Sequence, residues 1–185
     1  ERSLPSVNWN FLESRVNKKG ILGAIGYKVG MLSAIVKDLT PNSLTLNKQI
    51  SIPITIIECP PMRIFSIRFY KKGQVSCDII IENVKELKRK LKVPKIIKKE
   101  KLHEVEKNIN EYDDLHLIVY DIIKKTSLKK TPDIAEISLS GNIHEKFEIA
   151  KKLVGKDINI HDIFNKKELV DIHAVTRGKG LAGPM

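Results

Sequence analysis

From Gly20 onward the apolar positions fall into short runs and alternations of period two, the pattern of strands. Ile21–Tyr27 and Met31–Lys37 are two apolar runs separated by Lys28-Val29-Gly30, which reads as a turn. Ile50, Ile52, Ile54 and Ile56 alternate with Ser51, Pro53 and Thr55, predicting a half-buried strand. Pro53 confines that strand to an edge or a bulge, because proline has no N–H to give a ladder. Beyond Pro60-Pro61, Phe65, Ile67 and Phe69 alternate with Ser66, Arg68 and Tyr70 in a further strand. Strands joined this tightly suggest a barrel or a strongly curved sheet. Leu115–Lys124 and Ile134–Leu139 resume the strand pattern, and Ile158–Ile160 reads as a short strand. In Leu169–Val175, Val170, Ile172 and Ala174 are expected inward and Asp171 and His173 outward.

Two segments have a different period. Leu102, Val105, Ile109 and Tyr112 recur at helical spacing, and residues 73–112 read as a basic helical insertion broken at Pro94. Phe147, Ala150 and Val154 line one face of a second helix, which Gly155 should end. Residues 1–19, with Leu4, Val7, Trp9, Phe11, Leu12 and Val16 scattered among polar residues, read as an N-terminal arm or a short helix, laid on a partner rather than packed as a core. The expected division is therefore an arm over 1–19, a β domain over 20–72 and 113–185, and the insertion between.

Charge changes the picture. The 185 residues carry 33 Lys and Arg against 22 Asp and Glu, a formal net charge of +11. Residues 85–101 alone hold nine Lys or Arg and two Glu. Such an excess points to a polyanion, because each phosphate neutralised releases a condensed counterion. Aromatics make up 5% of the chain, too few for a surface of rings that stack on bases, so phosphate and shape recognition are favoured. No apolar run approaches the roughly 20 residues needed to span a bilayer. Glu1–Asn17 lacks a basic start followed by an apolar block. A soluble, cytoplasmic protein with no membrane partner is expected. Cys59 and Cys77 suit a reducing compartment as inert thiols.

Catalytic and cofactor signals are weak. His103, His116, His144, His161 and His173 show no metal-ligand spacing, and no metal is expected. Asp113-Asp114 is a poor acid–base couple, since neighbours on a strand point to opposite faces. Gly20, Gly23 and Gly26 do not match a dinucleotide fingerprint, and Gly155-Lys156 lacks the upstream glycine of a phosphate loop. No catalytic residue, cofactor or small-molecule substrate is expected. Arg177-Gly178-Lys179-Gly180 is more informative: the glycines permit close backbone approach and the cations supply charge for phosphates. Lys28, Lys129 and Lys130 are candidates for the same basic surface.

Several stretches together resemble the archaeal and eukaryotic form of the large-subunit ribosomal protein three family. They are GILGAIGYKVGM (20–31), PNS (41–43), IPITIIECPPM (52–62), KKTPDIAEISLSG (129–141), EKFEIAKKLVGKDINIHDIF (145–164) and ELVDIHAVTRGKGLAGP (168–184). The conjunction of GYKVGM, IECPP and AVTRGKG is specific. The resemblance implies a mainly β fold with α: a curved translation-factor-type β-barrel with an inserted helical lobe. It implies a structural constituent of the large ribosomal subunit, without an active site. Its partners would be large-subunit ribosomal RNA and neighbouring large-subunit proteins, and it would support assembly and the peptidyl-transferase region. Tyr27, Lys28 and Gly30 match the family's first turn, and Arg177, Gly178, Lys179 and Gly180 match its basic loop.

Departures are Leu32-Ser33 in place of the usual Thr-His and Leu181 in place of an aromatic. The family's basic N-terminal tail and long second half have no counterpart in these 185 residues, so a part of a longer chain is expected over a reduced relative. The alternatives are an enzyme built on a similar barrel, for example a flavin or nucleotide enzyme, and a protein-interaction module that docks through its basic insertion.

Overall fold

The structure, a computed structural model, describes residues 4–9, 20–94, 100–126, 128–181 and 183. Among these residues the chain is mainly β, with short helices. The strands are β1 (Gly20–Ile21), β2 (Tyr27–Lys37), β3 (Gln49–Glu58), β4 (Met62–Lys71), β5 (Gln74–Ile80), β6 (Asp114–Asp121) and β7 (Ile134–Ser140). The α-helices are α1 (Glu100–Lys107), α2 (Ile143–Leu153) and α3 (Ile160–Ile163). Five strands form an antiparallel sheet in the order β1-β7-β6-β4-β5, and β2 pairs with β3 in a separate two-stranded ribbon. The two sheets do not close into a barrel among the described residues.

Alternation decides the two faces of the sheet. Ile67 and Phe69 on β4 register against Leu117 and Leu115 on β6, and Leu117 faces Ile137 on β7. All are buried, and Phe147 and Ala150 of α2 close over them. Each of the leucine, isoleucine and phenylalanine side chains contributes about 1.5–3 kcal/mol over its exposed state. A capping box between Asn142 and Glu145 opens α2, and Gly155 follows its last turn at φ 75°. Lys146, 2% exposed on this helix, bonds Asp114 at the start of β6 and so fastens α2 to the sheet.

The opposite face carries a polar ladder across four strands. Arg68 on β4 forms a two-pronged pair with Asp78 on β5 (2.8 and 2.9 Å) and reaches Glu136 on β7 at 2.8 Å. His116 on β6 lies between Glu136 (2.8 Å) and Asp114 (3.1 Å), and Tyr70 also bonds Glu136. Burial alone would lower His116, but its bonds to Asp114 and Glu136 outweigh that and lift it from 6.5 to about 9. Burial would raise Glu136, but bonds from His116 and Tyr70 prevail and hold it at about 2. Asp113 and Asp114 diverge as alternation predicts: Asp113 accepts from the Lys72 amide, whereas Asp114 meets His116 and Lys146. At one end of this face, Phe65, Tyr120 and Leu87 form a second buried cluster. Leu87 belongs to a 3₁₀ turn over Lys85–Arg89 and is fully buried.

Several expectations change. Lys28-Val29-Gly30 is no turn: β2 runs through it, and the register shift there leaves Val29 as the extra residue of a β-bulge. Of the predicted strand Ile21–Tyr27, only the ends are in strands. Residues 74–80, expected in the helical insertion, form β5. Lys72 (φ 52°) and Gly73 (φ 72°) make a tight two-residue hairpin turn that returns the chain along β4. The expected helical spacing at 102–112 yields α1 and a 3₁₀ turn over Ile109–Glu111, with Leu102, Val105, Ile109 and Tyr112 all packed on the core.

Ile158 makes a single bridge to Met62, and Ile160 already opens α3, so 158–160 is not a strand. Residues 169–175 form no strand either, and Val170 and Ile172 are exposed, because no neighbouring strand pairs with them. The strand predicted at Ile50–Ile56 forms as β3 with Pro53 on an edge, Ile50 is half-buried, and Ile52, Ile54 and Ile56 are 36–39% exposed. Trp9 is packed rather than laid on a partner: its ring abuts Gly23, and its indole N–H donates to the Glu136 carbonyl at 3.0 Å. Phe11, Leu12 and Val16 of the expected arm, and Lys95, Lys98 and Lys99 of the basic run, lie outside the described residues.

The ladder gives a pH signature. His116 has a folded value above its unfolded one, so its stabilisation is complete below pH 6.5 and disappears as pH rises through 9. Glu136 behaves oppositely, contributing above its ordinary 4.5 and losing that contribution as pH falls through about 2. Denaturant unfolding at pH 6 and pH 9.5 should show that His116→Gln removes about 3 kcal/mol of the wild-type pH dependence. Leu87→Ala should destabilise the chain by about 2–4 kcal/mol in the same assay, as loss of a fully buried leucine does.

Candidate nucleic-acid interface

The basic surface is built around the connection from β6 to β7. Asp121 ends β6, and Asp133 lies immediately before β7. The Asp133 amide donates to Asp121 Oδ1 at 2.6 Å, and the Asp121 amide donates to the Asp133 carbonyl at 3.3 Å. The Tyr27 hydroxyl, at the start of β2, lies against both carboxylates, 2.7 Å from Asp133 Oδ2. Burial raises both the Asp121 carboxyl and the Tyr27 phenol. Two lysines then converge on Asp133: Lys90 Nζ at 2.7 Å, and Lys129, whose ammonium also lies 5.1 Å from the Tyr27 ring centre. Burial and the charge of Lys90 push Lys129 downward.

These contacts bring distant cations together. Lys85, Arg89, Lys124, Lys129 and Lys130 line an open depression of about 860 Å³ with Ile123 and Leu128. Glu86 is the one carboxylate in the lining, and Lys124 already meets it at 2.5 Å. Leu87 supplies the anchor, since its buried side chain presses the Lys85–Arg89 turn onto the sheet while the flanking cations stay outside. Among the described residues, Lys85, Arg89 and Lys130 have no ion-pair partner.

Of the residues expected from sequence, Lys129 and Lys130 therefore share one surface. Lys28 is exposed at the bulge of β2, away from any ion pair among the described residues. Arg177, Gly178, Lys179 and Gly180 lie in an extended, exposed run, with Gly180 at φ 72°. Among the described residues no hydrogen bond or ion pair ties that run to the depression. The charge of 85–101 is plain in the sequence, whereas the position of Lys85, Arg89 and Lys124 beside Lys129 is not. The available signal was a leucine within a basic run, an apolar residue with no reason to face water. No cluster of three or more His, Cys, Asp or Glu suited to a metal occurs among the described residues, and none of their helices is long and apolar enough to cross a membrane.

Comparison with known proteins bears on what this surface serves. The family model for ribosomal protein L3 matches residues 10–185. A large ribosomal subunit protein uL3 from Methanosphaera stadtmanae is 36% identical over 179 residues, covering 92% of this chain and 53% of that protein. The uL3 proteins of Methanothrix harundinacea and Methanocaldococcus jannaschii are 37% and 36% identical over 174 and 165 residues. Those alignments cover 88% and 85% of this chain, and 51% and 49% of the relatives. The chain thus spans about half the length of the curated relatives it matches. On the match of both family model and relatives across most of its length, the chain belongs to the ribosomal protein L3 family.

Proposed function

We propose that the chain acts as a structural, non-catalytic constituent of the large ribosomal subunit in the cytoplasm, binding large-subunit ribosomal RNA. In this reading it supports subunit assembly and the peptidyl-transferase region alongside neighbouring large-subunit proteins. The observation that carries it is the exposed basic run Arg177–Gly180 in a family whose relatives are named as large ribosomal subunit proteins. Arg177 and Lys179 would meet phosphates, Gly178 and Gly180 would let the backbone approach them, and Lys28, Lys129 and Lys130 would lend basic charge elsewhere on the RNA-facing surface.

The same reading makes the sheet and ribbon parts of a translation-factor-type barrel. Its support is the ribbon, where Val36, Ala34 and Leu32 face Ile50, Ile52 and Ile54 in an apolar stripe that the described residues cover only in part. An enzyme on such a scaffold has less support. The perturbed groups Asp114, His116 and Glu136 are engaged with one another and with Arg68, Tyr70 and Lys146, so their shifts have a structural cause.

Filter binding of the chain to protein-free large-subunit ribosomal RNA from a methanogenic archaeon tests the reading. If about six phosphates are met, affinity should fall by roughly 10³ between 50 and 200 mM salt. Arg177→Ala/Lys179→Ala should reduce the log–log salt slope by about 2. Salt-insensitive binding, or a double variant indistinguishable from the parent, contradicts it.

A further inference from the structure

The depression beside the β6–β7 connection has a construction that a solvated charged face does not need. Its cations come from three separate segments, Lys85 and Arg89 from the 3₁₀ turn, Lys124 from the turn after β6, and Lys129 and Lys130 from the following loop. Like charges gathered from distant segments repel, and the fold holds them together by fixed means: Leu87 buried beneath the turn, and Lys90 and Lys129 joined on Asp133. Carboxylates offset only part of the charge. Glu86 is taken by Lys124 and Asp133 by Lys90 and Lys129, which leaves Lys85, Arg89 and Lys130 facing outward with no acidic partner among the described residues.

We propose that this depression is a further RNA contact, separate from the Arg177–Gly180 run, that seats the sugar–phosphate backbone of a folded RNA on Lys85, Arg89 and Lys130. It rests on the reading of the chain as an RNA-binding protein. The lining selects backbone over base: the depression is open, and the Tyr27 ring beside it is covered by the Lys129 ammonium. Nothing in the lining offers an aromatic face for a base to stack on. Arg89 suits a phosphate especially, since its planar guanidinium can meet two oxygens at once. Lys124 and Lys129, held by Glu86 and Asp133, set the walls of the site, and the three unpaired cations take the ligand. The basic segment at 85–89 thereby becomes a binding element that Leu87 positions.

The test uses the 185-residue chain and three variants of it in filter binding to the same protein-free ribosomal RNA. Lys85→Ala/Arg89→Ala/Lys130→Ala should lower the log–log salt slope by about 2 to 3 and weaken binding at least about tenfold at 100 mM salt. Its thermal unfolding midpoint should stay close to the parent's, because all three side chains are exposed or lack partners. A second variant, Lys107→Ala/Lys152→Ala/Lys156→Ala, removes equal charge from exposed positions elsewhere and should have a clearly smaller effect.

A triple variant that binds like the parent, while Arg177→Ala/Lys179→Ala weakens binding, overturns the depression as a contact and leaves the RNA-binding reading standing. Equal losses in the two triple variants would reduce the effect to net charge and also overturn it. A parent chain that binds no RNA overturns both. Polyglutamate serves as the acidic-peptide probe: loss of its binding in the first triple variant, with RNA binding intact, would assign the site to a protein partner instead.

Discussion

The interaction on which the arrangement depends is the meeting of two carboxylates, Asp121 and Asp133, under one tyrosine. Asp121 is fully buried, and its environment raises its carboxyl, so the site is costly unless its polar atoms are satisfied. They are satisfied by the Asp133 amide and the Tyr27 hydroxyl. Asp133 in turn draws in Lys90 and Lys129. One junction therefore ties the end of the central strand, the start of the ribbon, the basic turn and the basic loop. Burial sets the need for partners, and those partners fix where the outward cations stand.

Much of the sheet was readable because its faces differ chemically. Ile67 and Phe69 against Leu115 and Leu117 form an alternation with a buried face, and Asp113-Asp114 splits between two faces as that alternation requires. The helix over Ile143–Leu153 was readable from Phe147, Ala150 and the glycine after it. Alternation fell short where it says nothing about a covering layer. Ile50, Ile52, Ile54 and Ile56 do form the predicted strand, yet β3 has only β2 beside it, and Ile52, Ile54 and Ile56 keep 36–39% of their surface exposed. Val170 and Ile172 failed for the same reason.

The interface was readable in composition and unreadable in geometry. Arg177–Gly180, Lys129 and Lys130 stand out by residue type, and the structure leaves most of them exposed. That Lys85 and Arg89 lie beside Lys130, roughly forty residues on, follows from Leu87 being buried with Phe65 and Tyr120, a long-range packing event with no local signature. Lys129 carries a structural duty that sequence could not reveal. It is bonded to Asp133 and stacked on Tyr27, so its charge is partly consumed inside the protein.

The central claim is that cations at two defined places meet RNA. Lysine acetylation read by mass spectrometry, with the chain free and bound to large-subunit ribosomal RNA, tests it most directly. The account predicts that Lys85, Lys130 and Lys179 become protected on binding while Lys107, exposed on α1, keeps its reactivity. Protection spread evenly over all exposed lysines, or confined to Lys107 and its neighbours, would contradict it.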